Sequence, residues 1–383
     1  MTGTVPTWPA TSDPDAVVAL LEQRAPLVGY ERCRALHDEL AEVAEGRAVV
    51  VQGGDCAEMF TDMSAASTRR KAEQLIALGA ALTASTGRRA VHIGRIAGQF
   101  AKPRSHATEP GPDGEPLPVY RGDAVNALTP TIESRTADPW RMLTAYDLAA
   151  DVLAALPGDV YASHEMLLAD YEQPLIRHDA ATGARYGTSG HLLWAGHRTR
   201  DPYGPQISML AGIANPVAVK LGPGLTPADL AVLIDRLDPA RTPGRLTLIA
   251  RFGADDIRRK LPALAETVRR SGARPVWLSD PMHGNTVRTR DGRKTRVVDD
   301  MADEVTGFAE VLLAAGSHPG GLHLELSPDD VTECVATRAE VATAALPRYR
   351  TACDPRLNPA QARTLLSAYA AAVPDESEEI VHA

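Results

Sequence analysis

Eight short apolar runs recur along the chain, at residues 48–53, 90–96, 160–163, 192–195, 217–221, 246–251, 276–278 and 322–326. They are dominated by Val, Leu, Ile and Ala and show no strict alternation, the pattern of strands covered on both faces. Amphipathic spacing and capping residues predict helices over 64–86, 139–156, 227–237, 255–271, 302–315 and 328–335, with a last one over 359–373. Ahead of the first strand, Asp13-Pro14 offers an N-cap followed by proline at the first helical position, and residues 30–47 read as a second helix. Strand–helix alternation with eight apolar strands favours a parallel (β/α)8 TIM barrel over an open doubly wound sheet. The expected organisation is an N-terminal helical extension (1–47), a catalytic barrel (48–373) and an acidic, disordered tail (374–383).

The residues that follow each run carry the chemistry. After the first come Gly53, Gly54, Asp55, Cys56, Ala57 and Glu58. The two glycines let backbone approach a ligand, and a thiol follows. The second run ends in Arg95, and its loop supplies Lys102, Arg104 and Ser105; the third leads into His164 and Glu165. The fourth is followed by His197, Arg198 and Arg200, the fifth holds Lys220, and the sixth ends in Arg251. The stretch 275–286 (PVWLSDPMHGNT) breaks from a buried strand into Asp280, His283 and Asn285, and the eighth strand carries Glu325. Polar groups at every strand end match the face on which barrels carry their chemistry.

Two sets emerge. Arg95, Lys102, Arg104, Arg198, Lys220 and Arg251 are cations suited to carboxylate and phosphate, and so many around one cavity call for a polyanion. Cys56, His283, Glu325 and the later Asp354 are candidate metal ligands. One thiol, one imidazole and two carboxylates suit a transition ion such as Mn²⁺, Fe²⁺, Co²⁺ or Zn²⁺. Their spacing makes no local motif, and a buried Cys56 acting as a small hydrophobe is the plainer reading.

Composition narrows the class. The net charge of −9 argues against nucleic acid as the main partner, so the basic strand ends point to a small anionic substrate. No apolar run approaches the ~20 residues of a membrane span, and the N-terminus lacks the pattern of a secretory signal. Four scattered cysteines fit a reducing cytoplasm better than a disulfide scaffold.

The segments VVVQGGDCAEMF, GRIAGQFAKPRS, VYRGDAVN, SHEMLLADYE, NPVAVKLGP, GRLTLIARFG, DPMHGNT, KTR, SHPGGLHLELSPDDVTEC and TACDPRLN appear in this order over roughly residues 48–358. Together they resemble type II 3-deoxy-D-arabino-heptulosonate 7-phosphate (DAHP) synthases. The resemblance implies a (β/α)8 barrel that condenses phosphoenolpyruvate with erythrose 4-phosphate and releases phosphate, as entry to the shikimate pathway. It implies a divalent metal, Mn²⁺ or Co²⁺, on Cys56, His283, Glu325 and Asp354. Phosphoenolpyruvate would meet Arg95, Arg198, Lys220 and Arg251, and the aldose phosphate Lys102, Arg104 and Ser105. Lys220 and His283 would serve catalysis, Lys220 as proton donor or water organiser. In this resemblance Cys353 could pair with Cys56, an oxidative off-state, and a cytoplasmic homo-oligomer is expected.

Two departures stand out. The family's W-x-G-E-R-T-R motif reads here Trp194-Ala195-Gly196-His197-Arg198-Thr199-Arg200, with imidazole in place of carboxylate. His197 is therefore expected to meet the substrate phosphate, with its pKa lowered by the surrounding cations and raised by bound phosphate. Phosphoenolpyruvate should then bind more tightly on the acidic side between about pH 6 and 7.5; the alternative is that only the His197 backbone faces the ligand. The stretch from Tyr120 to Ser163 is too short for the helical insertion of regulated members, the mark of a short form. An amino-sugar phosphate as substrate and a non-catalytic role beside a chorismate mutase are the alternatives.

Overall fold

The computed structural model describes residues 6–104 and 106–374. Ser105, and all but the first residue of the tail expected at 374–383, lie outside the described residues. Eight strands close into a parallel barrel: β1 (Ala48–Gly54), β2 (Arg89–Arg95), β3 (Val160–Glu165), β4 (Leu192–Ala195), β5 (Val217–Leu221), β6 (Leu246–Ala250), β7 (Val276–Ser279) and β8 (Gly321–Glu325). Each strand lies beside its neighbours in sequence, and β8 closes on β1 through Val50↔Gly321 to Gly54↔Glu325. The (β/α)8 expectation holds.

Period two along the strands builds the interior in layers. Ala48 and Val50, Val91 and Ile93, Tyr161, Leu192 and Trp194, Ala218, Ile249, Val276 and Leu278 form one buried cluster. Leu36, Leu40 and Val43 belong to it too, because α2 (Tyr30–Ala44), which follows α1 (Pro14–Glu22), plugs the amino end of the barrel. Two residues further along the same faces come Gln52, Arg95, Ser163, Lys220, Arg251 and Asp280, joined by His323 and Glu325 of β8. One alternation therefore makes an apolar floor and a polar ceiling.

The outward faces of the strands bury against the helical ring: α3 (Ala65–Thr86), α4 (Arg141–Ala155), α5 (Pro205–Ala211), α6 (Pro227–Leu237), α7 (Ala254–Ser271), α8 (Val298–Ala314) and α9 (Pro359–Ala372). Ser64 caps α3, Thr226 and Asp229 form a capping box on α6, and Asn358 and Gln361 one on α9. No helix among the described residues is long and apolar enough to cross a membrane.

The helix expected over 328–335 is not formed. That segment runs irregularly, with Val298 N–H donating to Val335 O, Val335 N–H to Arg296 O and Thr332 N–H to Arg348 O. Non-local partners satisfy its backbone groups, so an isolated helical turn has nothing to add. Three hairpins also interrupt the expected loops: Thr108–Pro110 with Pro116–Pro118, Ile176–His178 with Arg185–Gly187, and Thr286–Arg288 with Lys294–Arg296.

Candidate active site

The carboxyl ends of the strands open into a cavity of about 650 Å³. Lys102, Arg104, His197, Arg198, Lys220, Arg251, His283 and Asp354 all line it, as the strand-end reading requires. Glu165, Arg288, Lys294 and Arg296 line it as well. Lys294 and Arg296 lie in the KTR segment, whose place in the site had no signal beyond its charge.

At the base, donor atoms of Cys56, Glu325 and Asp354 lie within 4.8 Å of one another. Cys56 Sγ is 3.3 Å from Asp354 Oδ2, although the two residues are 298 positions apart. His283 joins them through Nε2, 3.1 Å from Glu325 Oε1, while its Nδ1 lies 2.8 Å from Asp280 Oδ2. With the Nδ1–H donated to Asp280, Nε2 turns a lone pair toward an acceptor oxygen. A second ring proton or a shared cation resolves that contact, and a mixed sulfur, nitrogen and oxygen donor set fits a transition ion.

Ammonium and guanidinium groups interleave with these carboxylates. Lys102 Nζ contacts Cys56 Sγ and lies 3.0 Å from Asp354 Oδ2, with Lys294 Nζ 2.6 Å from Asp354 Oδ1. Arg296 reaches Glu325 Oε2 at 2.7 Å, and Lys220 reaches Asp280 Oδ2 at 2.8 Å. Burial pushes these acids up, but His283 and Lys220 hold Asp280 well below the usual carboxylate range. His283 and Arg296 do the same for Glu325, and Lys102 for Asp354. Burial and the nearby Arg95 lower Lys220, against the pull of Asp280. Carboxylates thus balance much of the positive charge that sequence alone left facing the cavity.

Arg95 differs from its expected placement among the cavity-lining residues. It lies beneath them, 2% exposed, donating to Asp55 O, Cys56 O, Glu325 Oε1 and His323 Nε2 and facing the Trp194 ring. His323 in turn donates from Nδ1 to Gln52 Oε1, and Gln52 donates to Ser163 Oγ. This buried chain had no sequence signal, because His323 is one polar residue inside an apolar run.

His197 is bound by a neighbouring guanidinium. Its Nδ1 accepts from Arg200, whose guanidinium is pinned to the carbonyls of Lys220, Gly222 and Pro223. Burial, Arg200, Arg251 and Arg198 push the imidazole down to about 3, so it stays neutral with its proton on Nε2. Two guanidinium nitrogens at this cavity, Arg251 Nε and Arg296 Nη2, are buried with no hydrogen-bond partner, donors suited to an anion. All four cysteines are free thiols, with Cys56 and Cys353 in hydrogen-bond contact rather than bridged.

The loops that carry these groups are held by carboxylates. Glu304 of α8 accepts from the N–H groups of Phe252 and Gly253 and from Asn285 Nδ2, joining the loops after β6 and β7. Asn285 is therefore a structural amide at this strand mouth.

The model of the class-II DAHP synthetase family matches residues 2–158 and 156–370. A phospho-2-dehydro-3-deoxyheptonate aldolase of Streptomyces coelicolor is 42% identical, over 94% of this chain and 92% of its own length. A probable phospho-2-dehydro-3-deoxyheptonate aldolase of Pseudomonas fluorescens is 43% identical over 96% and 94%. The solved structure of a phospho-2-dehydro-3-deoxyheptonate aldolase from Francisella tularensis superposes with a TM-score of 0.56 at 14% identity, covering 96% of this chain and 98% of that one, a likeness of fold.

Proposed function

We propose a division of labour within this cavity from one premise: the chain belongs to the class-II DAHP synthetase family, and it condenses phosphoenolpyruvate with erythrose 4-phosphate at the entry to aromatic biosynthesis. The family is metal-dependent, and the clustered Cys56, Glu325 and Asp354 would hold the ion together with His283, whose Nε2 lies against Glu325, with Mn²⁺ or Co²⁺ as the metal. When bound, the ion supplies Lewis acidity to the aldehyde oxygen. Cys56, pushed up by burial and its acidic neighbours, would lose its proton on binding.

Arg198, Lys220 and Arg251 take the phosphate and carboxylate of phosphoenolpyruvate, with Arg95 steadying the floor below. Lys102 and Arg104, with Ser105 next in the sequence, take the aldose phosphate. The enol carbon attacks the aldehyde carbon, water adds at the carbon bearing the phosphate ester, and the C–O bond to phosphate breaks. Asp280 holds His283 by its Nδ1–H, and Lys220 Nζ stands next to both, placed to deliver a proton to the new hydroxyl. Orientation of two polyanions and preorganised positive charge supply the rate.

The observation that carries this reading is the ring of cations set directly above the sulfur and oxygen donors. Phosphate release with both substrates tests it. Chelation should abolish turnover, and Mn²⁺ or Co²⁺ should restore it. Arg251→Ala should weaken phosphoenolpyruvate binding by roughly 2–5 kcal/mol, and Arg251→Lys should also harm it, since a point charge cannot replace a fork. Full activity in metal-free protein, or normal saturation by these variants, would defeat the assignment. Four free thiols fit a reducing, cytoplasmic location.

A further inference from the structure

Glu58 lies in the loop after β1, two residues beyond Cys56, and is 1% exposed. Its carboxylate accepts three consecutive backbone N–H groups from the loop after β2: Ala97 at 3.0 Å, Gly98 at 2.9 Å and Gln99 at 2.9 Å. The Glu58 N–H donates back to Gln99 O at 2.9 Å. Convergence of three successive amides on one anion is a nest, and it needs a left-handed residue. Here that residue is Ala97 at φ 69°, one of two non-glycine residues with positive φ among those described. Left-handed backbone with a Cβ is strained, so something must hold it.

The same loop continues to Lys102 and Arg104. Lys102 Nζ meets Cys56 Sγ and Asp354, so the Glu58 clamp joins the loop with a candidate ligand to the loop with the cations above it. We propose that Glu58 is a positioning residue: by gripping the amides of Ala97, Gly98 and Gln99 it sets Lys102 and Arg104 in register for the aldose phosphate. The second half of this statement rests on the assignment of Lys102 and Arg104 to the aldose. Arg198, Lys220 and Arg251, which take phosphoenolpyruvate, stand at the ends of β4, β5 and β6, outside this loop.

The split between substrates is the test. Glu58→Gln is isosteric but turns a donor toward amides that need an acceptor. In the metal-loaded enzyme it should raise KM for erythrose 4-phosphate about ten-fold, a loss of ~1.4 kcal/mol, and leave KM for phosphoenolpyruvate within about two-fold. Amide hydrogen exchange over 97–104, followed without substrate, should quicken in step. Unchanged exchange overturns the clamp itself. Quickened exchange with an unmoved aldose KM overturns the assignment of the loop to the aldose, so the two failures are told apart. An equal rise of both KM values overturns the proposal by making Glu58 merely structural. Should Glu58→Gln fail to fold, Ala97→Val in the presence of native Glu58 strains the same turn and must give the same split. Ala97→Gly, which accepts positive φ freely, must not.

Discussion

His191 ties β3 to β4 by a reciprocal pair: its ring Nδ1 accepts from Ala162 N–H, and its backbone N–H donates to Ala162 O, both at 2.9 Å. The ring is an acceptor only while neutral. Burial and Arg32 push its pKa down to about 4, and burial does the same to His318. The sign follows: the unfolded chain binds protons near pH 6.5 and the folded chain does not until about pH 4. This stability is complete above pH 6.5 and drains as pH falls toward 4, by up to roughly 3 kcal/mol per ring. Denaturant midpoints of wild type and His191→Gln, compared from pH 7 to pH 4.5, should converge as the medium turns acidic; parallel curves would show that His191 does not titrate on unfolding. His197 is neutral for a related reason. Burial acts there together with Arg200, which is held by three carbonyls of β5 and the loop after it.

At the scale of elements, α2 is a stopper as much as a helix. Leu36, Leu40 and Val43 fill the amino end of the barrel below Val50, Val91 and Val276, some distance from the strand ends that bind substrate. Leu40→Ala should cost about 2–5 kcal/mol in denaturant unfolding while kcat and both KM values hold, because a cavity opens in the floor and not in the ceiling. A fall in kcat with unchanged stability would contradict the layering. The eight strands were legible from their apolar runs, and α3, α6 and α9 from their caps. The segment 328–335 misled because its apolar spacing suits a helix, yet its backbone hydrogen bonds go to residues 296, 298 and 348. Seven-residue α5 and the three hairpins were too short for periodicity to register.

For the whole molecule, the stretch between Tyr120 and Ser163 holds one helical turn, Ile132–Arg135, and the 15-residue α4 packed on the barrel. That leaves no helical insertion there for an effector. Phenylalanine, tyrosine and tryptophan at physiological concentrations should each leave the initial rate unchanged, and strong inhibition by any one would show a regulatory site built elsewhere. The amino-acid sequence by itself determined the barrel, the ends of its strands that carry chemistry, and the residues gathered there. Each of those follows from local pattern, since apolar runs mark the strands and the residues just past each run fall at its carboxyl end. Tertiary structure alone decided how the charges pair. Cys56 meets Asp354 across 298 positions, Lys294 and Arg296 arrive on a hairpin, and Arg95 sinks below the layer it was expected to line. Glu58 likewise reads in sequence as one more acid after a strand, and becomes a clamp only where barrel closure brings the β2 loop against it. Contacts of that kind depend on the register between strands and on loop backbone geometry, and neither is encoded by the spacing of residues along one segment.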